Sequence, residues 1–225
     1  MATLAAPQGR RERNKSAKLA RIVRAARRLF AAQGFAATTT QQIAAAADIG
    51  TGTLYLYAES KDDLLILVAR EEIPEVVDQA AASAPARRPV LDRLMHVFDR
   101  LIEYHRTDLP LARAFMKQLS FVGSAERRQD AAHITQHLQA HMRLLIEAAQ
   151  AAGELVAELP IELLVGNLFS IYRMQLQSWL SEFVDLDSYR ARLRASLDLQ
   201  LQGFRTAPGG KSAWPRAPER SSSPG

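Results

Sequence analysis

Apolar positions recur at helical spacing along almost the whole chain. Ile22, Ala25, Ala26, Leu29 and Phe30 fall at i, i+3, i+4, i+7 and i+8, with arginines on the opposite side. This pattern predicts a helix over residues 16–33, ended by Gly34, which enters left-handed backbone at no steric cost. Ile43, Ala44 and Ala47 predict a short second helix with Thr39 or Thr40 as its N-cap. Asp48-Ile49-Gly50 reads as a turn and residues 51–57 as a third short helix. Ser60 opens a long helix with Asp62 and Asp63 in its first turn, where the helix dipole favours acids. Pro74 is expected to kink or shift that helix. Breaks at Ala84-Pro85, Thr107 to Pro110, Gly123-Ser124, Gly153, Pro160 and Asp185 to Asp187 delimit five more helices, over 89–106, 109–121, 124–152, 160–183 and 187–204. No stretch alternates like a strand between hairpin turns. The expected fold is all-α, about nine helices: a compact three-helix unit, then a larger helical body.

The two ends differ from this middle. Residues 1–15 are small, polar and basic, and the tail from 205 is rich in Pro, Gly and Ser. Neither can bury a core, and both are expected to be disordered. The folded chain is expected to divide into a head over 16–76 and a second domain over 77–204. At 225 residues it is long enough for a sizeable core.

Charge changes the picture more than composition does. The overall balance of +5 conceals +8 in the first 28 residues, −6 from Leu29 to Phe204 and +3 in the tail. Positive charge concentrated at one end points to a bound polyanion, and reads equally as a solubilising arm. There is no cysteine, which excludes disulfides and thiolate metal sites. No apolar signal core follows the first charges, and no run approaches the ~20 residues of a membrane span. A cytoplasmic location is expected.

The segment Thr38 to Lys61 carries the chemistry. Two short helices joined by a tight turn can press one helix into the major groove of DNA. Thr39, Thr40 and Gln41 put hydroxyl, amide and backbone N–H donors at one helix N-terminus, groups suited to phosphate. Gly52 lets backbone approach phosphate closely, and Thr53 and Tyr55 offer hydroxyls near the exposed end of the third helix. Tyr55 or Tyr57 reads alternatively as core, with Leu54 packing inward. Gly50-Thr51-Gly52-Thr53 is no dinucleotide loop, because the third glycine would fall at Tyr55 and no strand precedes it.

Ile22-x-x-Ala25-Ala26-x-x-Leu29-Phe30, Gly34-Phe35, Thr38-Thr39, Ile43-Ala44, Gly52-Thr53-Leu54-Tyr55 and Ser60-Lys61 stand in the order and separation of a known head. Over residues 16–76 the chain resembles the tetracycline-repressor (TetR) family. Asp48 stands where the family usually has Gly, and Ala58 where a Phe is common, with Tyr57 or Leu64 available to fill that volume. The resemblance implies DNA contacts from Thr53, Tyr55 and Lys61 above all. Gln41, Gln42, Thr51 and Leu56 are candidate base readers, and Tyr57 a weaker contact. It also implies a ligand-responsive transcriptional regulator, a repressor, that binds a palindromic operator as a homodimer and is released by a small apolar molecule. Its second domain would be a regulatory and dimerisation domain. The partners implied are double-stranded operator DNA, an effector and a second copy of the chain, without a membrane.

In the remainder, Phe98, Ile102, Tyr104, Phe115, Met116, Phe121, Ile134, His137 and Met142 are candidates for the wall of a ligand cavity, and read equally as plain core. His133, His137 and His141 stack on one face of a helix, with Asp130 one turn away. Two helical histidines four apart can chelate a metal, yet no recognisable carboxylate pattern accompanies them, so no metal or cofactor is expected. No catalytic residue can be nominated, and the chain is not expected to be an enzyme. The rival readings are a helical metal-dependent enzyme built on those histidines and a non-specific DNA-organising protein. From Leu163 to Ser181 only Arg173 is charged, and apolar residues point nearly all round. Leu168, Tyr172, Trp179, Leu193, Leu197 and Leu201 are therefore expected at an interface between two copies.

Overall fold

The structure, a computed structural model, describes residues 9–120 and 125–206. Among these residues there are nine helices and no strand. They are α1 (Arg10–Ala37), α2 (Thr40–Ala46), α3 (Thr51–Leu54), α4 (Lys61–Ala82), α5 (Val90–Arg106), α6 (Leu109–Ser120), α7 (Ala125–Ala151), α8 (Ile161–Leu180) and α9 (Leu186–Gln202). The all-α expectation holds. The expected cavity residue Phe121 lies outside the described residues.

The chain forms two compact units that do not follow the expected linear division. The first combines residues up to Glu75 with Glu103–Thr135, and the second combines Val76–Ile102 with residues from Gln136 onward. Helices α4, α5 and α7 each contribute to both.

In the first unit, α1 begins at Arg10 rather than Ser16, within the stretch expected to lack structure. Arg, Glu and Lys are among the better helix formers, so the basic run extends the helix instead of fraying it. Gly34 takes φ 78°, ending the regular helix where expected. Thr38 is buried there and its hydroxyl donates to the Gly34 carbonyl at 2.8 Å. The core beneath the head is Ile22, Ala26 and Phe30 of α1, Ile43 and Ala44 of α2, Leu54 of α3, and Leu64 and Leu65 of α4, all almost fully buried. Ala58 is buried and Leu64 reaches only 1% exposure, so the position lacking a Phe is closed. Each fully buried Leu, Ile or Phe contributes about 1.5–3 kcal/mol.

Asp48 takes φ 53°, the left-handed conformation that its short polar side chain tolerates, and the turn survives without glycine. Helix α3 is shorter than expected. After Leu54 the bonds tighten to i→i+3, with Leu56 N–H on Thr53 O at 3.2 Å and Tyr57 N–H on Leu54 O at 2.9 Å. Ser60 and Asp63 cap α4 reciprocally, the Ser60 N–H donating to Asp63 at 2.9 Å and the Asp63 N–H to Ser60 Oγ at 3.1 Å. Pro74 sits inside α4, which continues to Ala82.

In the second unit, α8 and α9 pack together with parts of α4, α5 and α7. Phe98 stacks on Tyr172 with ring centroids 4.6 Å apart, and Trp179 tilts on Tyr189 at 5.6 Å. Leu138, Met142, Ile146, Leu168, Leu193, Leu197 and Leu201 complete this core. Gly153 ends α7 at φ 71°. The segment after it accepts the chain's last described residues: Val156 N–H donates to Phe204 O at 2.9 Å, and Thr206 N–H to Glu154 O at 3.3 Å.

Candidate nucleic-acid interface

The tips of α2 and α3 meet on one surface. Thr39 and Gln42 form a full capping box: Gln42 N–H donates to Thr39 Oγ1 at 3.2 Å, and Thr39 N–H to Gln42 Oε1 at 2.8 Å. Gln33 on α1 adds a third tie, its amide donating to Gln42 Oε1 at 3.0 Å. Thr39 and Gln42 thus fix the N-terminus of α2 against α1. Gln42 as a base reader is corrected to this extent: its oxygen is engaged in capping.

Beside this box, Thr40 Oγ1 lies 3.2 Å from Gln41 Oε1 and 3.3 Å from the Tyr55 hydroxyl. Two hydroxyls and an amide from both short helices therefore converge. Tyr55 is 45% exposed and Leu56 82%, while Leu54 between the helices is fully buried. The alternative that Tyr55 is core is thereby excluded. Thr51, Thr53 and Tyr57 are half-buried and Gly52 is exposed.

Lys61 does not extend outward. Its ammonium donates to the Phe35 carbonyl at 2.7 Å and the Ala36 carbonyl at 3.1 Å, and stands 4.5 Å from the Phe35 ring centroid. It closes the backbone that follows Gly34, where carbonyls are left without helical partners.

Along α1, Lys15, Lys18, Arg24 and Arg28 are exposed and make no ion pair among the described residues. Arg21 faces Asp48 at 3.6 Å, and Arg27 Nε is 2.6 Å from Glu72. Cations held on a helix without carboxylate partners can neutralise phosphates.

Residues 22–68 match the family model for bacterial regulatory proteins of the tetR family. The regulator HbdR of Aromatoleum sp. (strain CIB), an HTH-type transcriptional regulator, is 26% identical over 204 residues, covering 88% of this chain and 84% of that protein. The HTH-type transcriptional repressor KstR of Rhodococcus jostii (strain RHA1) is 24% identical over 181 residues, covering 80% and 81%. Among solved structures, FadR of Thermus thermophilus, a TetR-family transcriptional repressor in complex with lauroyl-CoA, superposes with a TM-score of 0.65 at 25% identity, over 84% of this chain and 97% of that one. Over residues 22–68 the chain thus carries the head of the TetR family, and its helical fold is that of TetR-family structures. The relatives it matches are transcriptional regulators, and the matched segment is the helix-turn-helix head. Among the described residues no helix is long and apolar enough to cross a membrane.

Elsewhere in the chain, the expected sites are rearranged. A cavity of about 340 Å³ lies within the first unit. Its apolar wall is Phe30, Leu65, Val68, Leu111, Ala112 and Phe115, and its polar side is Arg27, Glu72, Tyr104, His105 and Asp108. Of the expected cavity residues, Tyr104 and Phe115 line it. Phe98, Ile102, Met116, Ile134 and Met142 are buried elsewhere in the core, because their helix faces pack against neighbours. Glu72 receives the Tyr104 hydroxyl at 2.6 Å as well as Arg27. Burial, reinforced by the Glu72 charge, raises the Tyr104 pKa, so the phenol stays protonated and donates. His105 is 3% exposed and its Nδ1 finds no hydrogen-bond partner among the described residues. Burial pushes its pKa down to about 4, so it is neutral at pH 7. Neither His105 nor Glu72 belongs to a pattern of spacing, so nothing along the chain marks them.

The six expected interface residues are corrected. Leu168, Tyr172, Trp179, Leu193, Leu197 and Leu201 are at most 8% exposed within a single chain. They form the seam between α8 and α9 and the core beneath it, covered by their own chain. The outward faces of the same helices carry Leu163, Met174 and Leu199 at 58%, 64% and 72% exposure, with Ile171 half-buried. Asp130 is also not a ligand partner for the histidine row, because Arg70 holds it at 2.6 Å.

Proposed function

We propose that this TetR-family chain is a repressor that binds a palindromic operator as a homodimer and leaves it when an apolar effector binds. The observation that carries the reading is the convergence of Thr40, Gln41 and Tyr55 at the tips of two helices, beside an α1 rich in unpaired cations. Thr40 and Tyr55 are spaced to hold one phosphate from two sides, and exposed Leu56 fits a thymine methyl in the major groove. Thr51, Gly52, Thr53 and Tyr57 border that contact. The cations of α1 supply the salt-dependent attraction. Lys61 acts through the α1 terminus it closes, and reaches phosphate only by releasing those carbonyls.

Dimerisation is assigned to the outward faces of α8 and α9. Leu163, Ile171, Met174 and Leu199 give each copy an apolar stripe that a two-fold axis can pair with itself. Two heads would then meet successive major grooves, about 34–36 Å apart or a related spacing.

The effector is assigned to the 340 Å³ cavity, within the range of about 300–1,000 Å³ for small-molecule sites. Its apolar wall suits an acyl chain, a class supported by the lauroyl-CoA complex of the Thermus regulator. On the polar side, buried His105 offers an anchor whose Nδ1 has no hydrogen-bond partner among the described residues. Part of the wall is α1 itself, through Arg27, Phe30 and Ala31. An occupant that favours another α1 position would shift the population of heads that fit the operator.

The test is a binding titration on the DNA upstream of the chain's own gene. Tyr55→Ala is expected to weaken operator binding about 10- to 100-fold, the cost of one good base or phosphate contact, with an unchanged melting curve. A variant that shifts the operator normally removes Tyr55 from the interface. Equal affinity for random DNA would favour the DNA-organising alternative instead.

A further inference from the structure

We propose that Asp78 on α4 and His137 and His141 on α7 form a binding site for one divalent transition-metal ion of the Zn²⁺, Co²⁺ or Ni²⁺ class. All three residues belong to the second unit. The inference is independent of the effector cavity and of the DNA reading.

The geometry is specific. His137 and His141, one helical turn apart, both turn Nε2 toward the same atom: Asp78 Oδ1 lies 2.8 Å from the first and 2.7 Å from the second. The two rings sit 5.1 Å apart, tilted by 54°. All three ligand atoms lie within 4.8 Å of one another. An ion bound at about 2.0–2.2 Å from nitrogen and oxygen holds tetrahedral ligand atoms roughly 3.3 Å apart. The carboxylate needs to withdraw by only about half an ångström to admit it. Asp78 is free to do so, with 56% of its side chain exposed, whereas the imidazoles are 28% and 22% exposed and anchored on a long helix.

The donor set selects the metal. Two imidazoles and one carboxylate favour Zn²⁺, Co²⁺ and Ni²⁺ over the hard cations Mg²⁺ and Ca²⁺, which seek oxygen alone. Three protein ligands leave at least one coordination position to water or to an anion. The exposure of Asp78 keeps that position open to solvent. The bound ion would tie the end of α4 to α7, which this hydrogen-bonded trio already joins.

Helical spacing could nominate His137 and His141, because residues i and i+4 share a face. The carboxylate lies 59 positions away from the first, on another helix, and no pattern of spacing leads to it.

The test uses full-length protein freed of metal by chelation and dialysis. Titration with Co²⁺ alone is expected to give visible d–d bands that saturate at one ion per chain, with Zn²⁺ bleaching them. Zn²⁺ alone is expected to raise the thermal midpoint. His137→Gln with His141→Gln should abolish the bands, and Asp78→Asn, isosteric and exposed, should weaken Co²⁺ binding at least tenfold with an unchanged circular-dichroism spectrum. His133→Gln should bind as the unaltered chain does. The proposal is overturned if the unaltered chain gives no saturable band, if the Asp78 and double-histidine variants bind as it does, or if His133→Gln is the substitution that removes binding.

Discussion

In the head, the proposed DNA contact rests on exposed polar groups carried by very short helices; in the second unit, long helices leave most of their apolar side chains within one chain. Helix α3 has four residues and buries Leu54 alone, while α8 has twenty and buries seven. The head therefore relies on a single apolar anchor to hold its reading surface, and the second unit has many. A short helix gains little from its own hydrogen bonds, so one side chain must fix where Thr53 and Tyr55 point.

The comparison is broken most severely at that anchor. Leu54→Ala is expected to cost about 2–5 kcal/mol and to abolish operator binding. Urea unfolding and a DNA titration check it. A loss below about 1 kcal/mol would show that the head's position has other supports.

The next effect is in the first unit's cavity. The folded pKa of His105, about 4, lies below its ordinary 6.5, so between those values the unfolded chain binds a proton that the folded chain refuses. Stability from this group is then intact above pH 6.5, falls as pH drops, and levels off near pH 4, by up to about 3 kcal/mol. His105→Leu should flatten that part of the curve relative to the unaltered chain in unfolding measured across pH 4–7.

The smallest effect on chain stability is expected on the outward side of α8 and α9. Leu163→Glu with Leu199→Glu replaces side chains already in water, and each should change subunit stability by no more than about 0.5 kcal/mol. The pair should nonetheless turn dimers into monomers by sedimentation. Unaltered dimers would move the interface elsewhere.

These contrasts explain what could be read from sequence. The head was legible because its constraints are local: Gly34 at positive φ, Asp48 in the left-handed turn, Thr39 at the cap and Leu54 inward each depend on near neighbours. The helical class was legible for the same reason. The second unit was legible as helices but not as surfaces. A helix apolar all round signals burial without saying whether its own chain or another does the burying, and Trp179 and Tyr172 were covered by their own neighbours. Partners far apart in sequence, such as Tyr104 with Glu72 or Asp78 with His137, leave no periodic trace.

The interleaved chain path has a practical consequence for anyone cutting the protein. A fragment ending near residue 76 would lack Glu103–Thr135, and with it the α6 side chains that stand opposite Phe30, Leu65 and Val68. Such a fragment bares an oily flank on α1 and α4. An isolated head is thus expected to need a graft of those missing residues, or a rewritten flank, to stay in solution.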